Sequence, residues 1–335
     1  MRAFVTGASG FIGYHVARVL RQHGWQVRAL VRNPEAVSRL SSLDVELVPG
    51  DLATGEGLEH IHGCETVFHV AALYSLNRRD GPLMYQVNVE GTRRLLETCE
   101  RARVERVVYT SSTATVALSS GGEPADERRF ANPDEVESDY KKSKILAEQV
   151  VLQACERGLD AVVVNPSTPV GPGDVKPTPT GKIILDIVQG RMPGYADTGL
   201  NVVAVEDVAE GHLLALERGQ QGQRYILGGD NMHFRDLVAR TAQLAGRPVP
   251  RLRVPLWLAY VAAAVDEWIV TPVTGRGPRI PVDGVKLART PMYFSAEKAR
   301  RELGFSPSAV DAALARAVAW FQREYPEKRE RRRRA

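Results

Sequence analysis

Cysteine is scarce in this chain of 335 residues: Cys64, Cys99 and Cys155 are widely spaced and odd in number. They fit neither a disulfide framework nor the ligand spacing of a metal site, so no metal is expected and the thiols are expected to be reduced. Long apolar runs are missing too. The longest uncharged one, "VPLWLAYVAAAV" at Val254–Val265, falls well short of the roughly 20 residues needed to span a bilayer. "MRAFVTG" runs straight into a glycine turn, without the apolar stretch of a secretory signal. These absences predict a soluble, cytoplasmic protein.

A basic surface is also lacking, despite a net charge of +4. Residues 328–334, "KRERRRR", carry six positive charges and one negative, which leaves −1 for the rest. The body therefore has no excess of cations to neutralise phosphates, and nucleic acid is excluded as a partner. The tail itself, 326–335, is expected to be disordered. Its sharper reading is weak attraction to an anionic membrane surface.

What is present is a regular alternation. "AFVT", "QVRALV", "VELV", "TVFHV", "RVVYT" and "AVVVN" read as strands, separated by helical patterns such as "FIGYHVARVLRQHG", where Gly24 is placed to end the helix. Strands apolar on both faces, alternating with helices, predict an α/β fold: a doubly wound parallel sheet over residues 1–165. Beyond it "NPSTPVGPGDVKPTPTG" is too rich in proline and glycine for regular structure. Residues 166–325 then read as a smaller mixed substrate lobe with some segments returning to the core. It has a helix near 181–190, a strand "NVVAV", a helix 206–218 and a strand "RYIL".

"FVTGASGFIG" places Gly7, Gly10 and Gly13 between the first strand and the first helix. Glycines there allow a tight turn, close approach of backbone to a pyrophosphate, and close helix–strand packing. The helix N-terminus offers unpaired N–H groups to the phosphates, so Gly7, Ser9, Gly10, Phe11, Ile12 and Gly13 are expected to line a dinucleotide. The acidic residue that would bind an NAD ribose at the end of the second strand is missing; Val31 and Arg32 stand there, and no carboxylate follows until Glu35. A guanidinium suits a 2′-phosphate, so Arg32 favours NADP, with NAD as the alternative and a plain surface arginine as the bland reading.

"TGASGFIG", "GDL" at Gly50–Leu52, "HVAA" at His69–Ala72, "NVEGT" at Asn88–Thr92, "TSSTATV" and "YKKSK" follow one another in the order found in extended short-chain dehydrogenases/reductases, the NAD-dependent epimerase/dehydratase family. The chain resembles that family over almost its whole length. The resemblance implies a Rossmann fold, NADP or NAD, and hydride transfer at a carbonyl or hydroxyl carbon. It also implies that Asp51 and Leu52 flank the adenine, Ala71 and Ala72 line the nicotinamide path and Asn88 supports the cofactor side, with Ser111 and Pro166 completing the set. A homodimer through the helices carrying "NVEGT" and "YKKSK" is implied as well.

"ESDYKKSK" contains Tyr140 and Lys144, four residues apart and so on one helical face. A carbonyl that receives hydride also needs a proton. Free tyrosine, with a pKa near 10, is a poor base, and an ammonium about 4 Å away would favour its phenolate by on the order of 4 kcal/mol. Lys144 is therefore expected to lower Tyr140 toward physiological pH. A third group must orient the substrate oxygen. Resemblance to the epimerases assigns this to Thr113, and resemblance to dihydroflavonol-reductase-like proteins to Ser112; Thr113 is preferred.

The substrate is less legible. Thr113 is followed by Ala114 and Thr115 rather than the Asp-Glu pair of the family's dehydratases. Leu200 and Asn201 stand where many nucleotide-sugar epimerases have a diphosphate-binding arginine, though Arg191 is a possible substitute. "DTGLNVVAVEDVAEGHLLALERG", "RYILGGDN" and "VDGVKLARTPMYFSAEKARRELGF" resemble hopanoid-associated sugar epimerases. Trp257, Tyr260 and Trp268 either cover a lipid-like substrate or pack the second lobe. The expected activity is an NADPH-dependent ketone or aldehyde reductase, the alternatives being a sugar epimerase with tightly held NAD(P) and a non-catalytic NADP-binding regulator.

Overall fold

Apolar runs with no charged face can be satisfied only in the interior of a layered structure, and the computed structural model of the chain places them there. It describes residues 1–36, 38–75, 78–119, 122–266, 282, 285 and 289–326. The basic tail and Trp268 lie outside the described residues.

The first half runs β1 (Arg2–Thr6), α1 (Phe11–Gln22), β2 (Gln26–Val31), α2 (Ser38–Ser41), β3 (Glu46–Pro49), β4 (Thr66–His69), α3 (Gly81–Tyr85), α4 (Gly91–Ala102), β5 (Arg106–Thr110), α5 (Asp139–Glu156) and β6 (Ala161–Pro166). Their strands belong to one parallel sheet of seven, in the order β10-β6-β5-β4-β1-β2-β3, where β10 is Arg224–Leu227. The order reverses between β1 and β4, the place where ligands bind in such sheets. Register is fixed by paired apolar residues, Val5 opposite Ala29 on one side and Phe68 on the other.

Both faces are covered. Val16, Val19 and Leu20 of α1 pack one face together with Val208 and Leu213 of α7 (Val205–Arg218). Leu95, Leu96 and Cys99 of α4 and Ala147, Val150 and Val151 of α5 pack the other. α1 ends as its sequence predicts: Gly24 takes φ +79°, its N–H reaches the Arg21 carbonyl and the Trp25 N–H reaches Leu20. This pair of bonds satisfies carbonyls that the last turn would otherwise leave unpaired.

The second lobe holds a three-stranded sheet in the order β11-β9-β7, from Asp230–His233, Gly199–Ala204 and Thr168–Val170. A two-stranded pair joins β8 (Gly194–Tyr195) and β12 (Leu252–Arg253). Helices α6 (Pro179–Val188), α8 (Phe234–Leu244), α9 (Leu256–Val265), α10 (Glu297–Leu303) and α11 (Val310–Glu324) complete it. Thr168–Val170 corrects the expectation that the proline-rich stretch has no regular structure. Pro169 is tolerated because β7 is an edge strand, where a missing N–H costs no ladder bond. Likewise Pro179 opens α6, where an N–H would be left unpaired anyway and its absence costs nothing, and Thr178 caps the helix by accepting from the Gly181 N–H.

Candidate active site

The glycine turn is built by close contact rather than by any side chain. Gly7 has φ +76°, and a Cβ there would stand 2.6 Å from the Ala71 nitrogen; one on Gly13 would stand 2.1 Å from the Gly7 carbonyl oxygen. Gly10 caps α1 with no side-chain acceptor, and no acidic residue lies in the first turn. Bare N–H groups and the positive end of the helix thus face the carboxyl edge of the sheet, an arrangement suited to phosphate oxygens. Ser9 and Gly10 are exposed at this edge, with Phe11 and Ile12 partly buried behind them.

The other expected cofactor residues gather along the same edge. Arg32 follows the end of β2, is exposed and has no ion-pair partner among the described residues. Asp51 folds its own turn by accepting from the Ala53 N–H at 2.9 Å, and Leu52 is buried beside it. The loop after β4 carries Ala71, partly buried, and Ala72, exposed. Asn88, wholly buried, accepts from the Leu73 N–H at 2.7 Å and donates to the Leu73 carbonyl at 3.0 Å and to Ser143 Oγ at 3.0 Å. Ser143 in turn donates to the Tyr140 carbonyl at 2.8 Å, so one side chain ties the 71–73 loop to the helix of Tyr140. Asn88 sits in a π-helical turn, Gln86–Glu90, a distortion frequent at functional sites. At the strand ends Pro166 is buried, and the buried Ser111 hydroxyl has no hydrogen-bond partner. An orphaned buried hydroxyl and a cradle that any Cβ would fill are the features a bound dinucleotide would satisfy; the residues present fit NAD(P).

Next to this cradle the structure brings Ser112 and Tyr140 together. The Ser112 hydroxyl lies near enough to the phenol of Tyr140 to draw its pKa down, and it caps the short turn Thr113–Thr115 by accepting from the Ala114 N–H. Thr113 is buried at the start of that turn. Of the two hydroxyls left open by sequence, Ser112 is the one that bears on the phenol's pKa. Tyr74 packs its ring edge-on against Tyr140, with 4.6 Å between centroids.

Lys144 is fully buried, and its ammonium donates to the Thr110 carbonyl at 2.8 Å and the Tyr109 hydroxyl at 3.1 Å. The expectation that it lowers the Tyr140 pKa is corrected. Burial raises the phenol above its ordinary value, opposed by the nearby Ser112 hydroxyl. The ammonium directs its donors at the end of β5, and its own pKa is pulled down to about 8 by burial, against the Glu148 carboxylate that raises it.

That depression has a consequence for stability. The unfolded chain holds a lysine proton up to its ordinary 10.5 and the folded protein only to about 8, so between those values the unfolded state binds more protons and folding gains stability as pH rises. The wild type should gain about 3 kcal/mol relative to Lys144→Met between pH 8 and pH 10.5, read from urea midpoints of both proteins. Parallel pH profiles would show that the ammonium is not desolvated.

Three polar clusters behind the site were not anticipated from sequence. His69 bridges Thr6 and Thr92, each at 2.8 Å, and burial with nearby Lys144 lowers its pKa to about 3, so it stays neutral. Thr110 meets the buried His212 at 2.8 Å. Glu148 and Arg224, each 3% exposed, form an ion pair at 2.8 Å. Asn165 joins them, donating to Glu148 at 2.9 Å, Thr115 at 3.0 Å and the Ser112 carbonyl at 3.1 Å. Glu148 alone left a trace in the sequence, as a carboxylate one turn beyond Lys144 inside the apolar pattern "ILAEQVV".

In the second lobe Leu200 is buried, and Asn201 is engaged with Gly229, Asn231 and Phe294. Arg191 is held by Asp186 at 2.6 Å. Trp257 and Tyr260 are 69% and 37% exposed, so they do not pack the lobe's core.

A profile of the NAD-dependent epimerase/dehydratase family matches residues 3–228, most of the chain and the whole cofactor edge. The chain belongs to that family. With its fold and cofactor cradle, it is an NAD(P)-dependent enzyme of the extended short-chain dehydrogenase/reductase type. Among its relatives, a putative dihydroflavonol 4-reductase of Synechocystis is 46% identical over 95% of this chain and 94% of the relative. Sterol demethylase protein B of Methylococcus capsulatus is 35% identical over 96% and 98%. A crystal structure described as a nucleoside-diphosphate-sugar epimerase from Pseudomonas aeruginosa superposes with a TM-score of 0.79 at 28% identity, covering 97% of this chain and 98% of that one.

Proposed function

We propose that this family member is an NADPH-dependent reductase of an apolar ketone or aldehyde, of the lipid class. The observation that carries the reading is in the second lobe. Where a diphosphate-binding arginine would stand, Leu200 and Asn201 are both built into the core, and Arg191 is committed to Asp186. A buried charged substrate group without a cation is costly, so the lobe favours an uncharged substrate. The similarity to a sterol-processing protein and a dihydroflavonol reductase supports the same class.

The nicotinamide, when bound, supplies the hydride. The chain's own groups do the rest: Ser112 donates a hydrogen bond that positions the carbonyl oxygen, and the Tyr140 hydroxyl gives that oxygen its proton. Lys144 holds the strand end that carries Ser111 and Ser112. Gly7, Ser9, Gly10, Phe11, Ile12 and Gly13 hold the pyrophosphate, Asp51 and Leu52 the adenine, and Ala71, Ala72, Asn88, Ser111 and Pro166 the nicotinamide side. Arg32 binds the 2′-phosphate. Arg32→Ala should weaken NADPH by about 10- to 100-fold, the worth of a charge-assisted hydrogen bond, and leave NADH nearly unchanged. Equal affinity of the wild type for NADH and NADPH, untouched by Arg32→Ala, would refute the cofactor preference.

The epimerase-like structure favours a second reading, a sugar epimerase that oxidises and re-reduces one substrate. Cofactor co-purifying at full occupancy would favour it; a site emptied on purification and refilled by NADPH favours the reductase. We extend the proposal to a homodimer paired through α4 and α5 in the reducing cytoplasm, to be checked by light scattering. Three free thiols fit that compartment.

A further inference from the structure

We infer that His69 is a positioning residue for Tyr140, the Nε2–H tautomer at the centre of a buried hydrogen-bonded chain from the glycine turn to α5. The inference rests on the reading of Tyr140 as proton donor and deepens it. Every member of the chain is sealed from water: Thr6 and Ser143 are 0% exposed, His69 and Thr92 1%, and Asn88 2%. Thr6, the last residue of β1, accepts from the Ala71 N–H at 3.2 Å. That amide is the one that closes on Gly7. At the far end Asn88 donates to Ser143 at 3.0 Å, and Ser143 donates to the Tyr140 carbonyl at 2.8 Å. His69 and Thr92 fill the gap between these two ends.

Donor and acceptor chemistry fixes the direction of the chain. The Thr92 hydroxyl lies 2.6 Å from the Asn88 carbonyl oxygen, which can only accept, so its single proton points there. The Thr92 oxygen, 2.8 Å from His69 Nε2, must therefore accept, and Nε2 carries a proton. Burial and the nearby Lys144 ammonium keep the ring neutral. Nδ1 is then bare and accepts the Thr6 hydroxyl proton at 2.8 Å. The other tautomer would leave Nε2 and the Thr92 oxygen facing each other with no proton between them. A threonine bond to the carbonyl four residues back also bends a helix. Here it falls at the π-helical turn Gln86–Glu90, from which Asn88 reaches Leu73 and Ser143. Orphaned buried polar groups are costly, so the ring holds Asn88 in one orientation and Asn88 holds the first turn of α5. A ring that only filled space would need no fixed proton.

Two measurements on the full chain test this. Nitrogen-15 NMR of the histidine-labelled protein, assigned through Thr92→Ser, should show His69 protonated at Nε2 and bare at Nδ1 across neutral pH. Thr92→Val keeps the shape of the side chain and removes the hydroxyl. Stopped-flow NADPH oxidation should then slow about tenfold, the worth of one buried hydrogen bond, with NADPH affinity changed less. Thr92→Ser should restore most of the rate. In a Tyr140→Phe background Thr92→Val should cost nothing more, because the chain acts through that phenol; general loosening would be felt in either background. Ser143→Ala cuts the chain at its far end, should behave as Thr92→Val does, and takes its place if the valine prevents folding. A proton on Nδ1, wild-type turnover in these variants beside an impaired Tyr140→Phe, or a further loss in the Tyr140→Phe background overturns the proposal. Wild-type turnover in Tyr140→Phe alone refutes the proton donor, and the role given to His69 falls with it.

Discussion

Replacing Tyr140 with phenylalanine should lower turnover of a carbonyl substrate by about 10²–10⁴, the usual contribution of a positioned proton donor, with NADPH affinity nearly unchanged. The structure gives this expectation a direction. A phenol raised above its ordinary pKa remains protonated through neutral pH and is a ready acid for reduction. It is a poor base for the reverse reaction, so oxidation of the product alcohol should climb with pH past 9 while reduction stays flat across pH 6–9 and declines only as the phenol ionises. Ser112→Ala should cost less, about 10- to 100-fold, by removing one hydrogen bond to the substrate oxygen. Stopped-flow oxidation of NADPH would measure both. Turnover of Tyr140→Phe within a few-fold of wild type would remove the phenol from the chemistry, and a larger loss in Thr113→Ala than in Ser112→Ala would return the orienting role to Thr113.

Arg224→Leu should destabilise the fold by about 3–5 kcal/mol, because it leaves the Glu148 carboxylate buried without its partner. Both side chains are 3% exposed, and Arg224 also donates to the Glu127 carbonyl at 2.9 Å and to Thr115 Oγ1 at 3.0 Å. Adding Glu148→Leu should recover much of the loss, since an apolar pair of similar volume removes the orphaned charge. Denaturant unfolding of the two single variants and the double variant gives the coupling directly. Additive losses would show that the pair contributes nothing as a pair. The cluster also supports the Ser112 carbonyl through Asn165, so activity in the single variants should fall at temperatures where they remain folded.

What the sequence reveals here follows from how far apart the interacting residues lie. The parallel sheet is legible because each strand declares itself locally, and "RYIL" and "QVRALV" coincide with β10 and β2. The glycine turn is legible for the same reason: its contacts lie within Gly7–Gly13, apart from the approach to Ala71. Ser112 against Thr113 is a question of which adjacent hydroxyl faces a helix 28 residues further on, and periodicity does not carry that information. The direction of the Tyr140 shift fails from sequence because the four-residue spacing gives proximity but not the burial of the ammonium or its preference for Tyr109 and Thr110. Arg224, Asn165 and Thr115 come from three separate strands or turns, so their cluster exists only in the folded chain.

The position of β10 at one end of the main sheet also sets an order of events during synthesis. Its partner β6 is an apolar strand, "AVVVNP", whose outer edge is closed only when Arg224–Leu227 arrive, after the first part of the second lobe, through α7, has been made. Until then β6 presents unpaired backbone groups, the template for association between chains, and Glu148 lacks its cation. A nascent chain stalled before Arg224 is therefore open at both points, and the same four residues that complete the sheet neutralise the charge behind the active hydroxyls. Chains truncated between Pro166 and Arg224 should be recovered as aggregates, whereas loss of residues after Pro326 leaves that edge sealed.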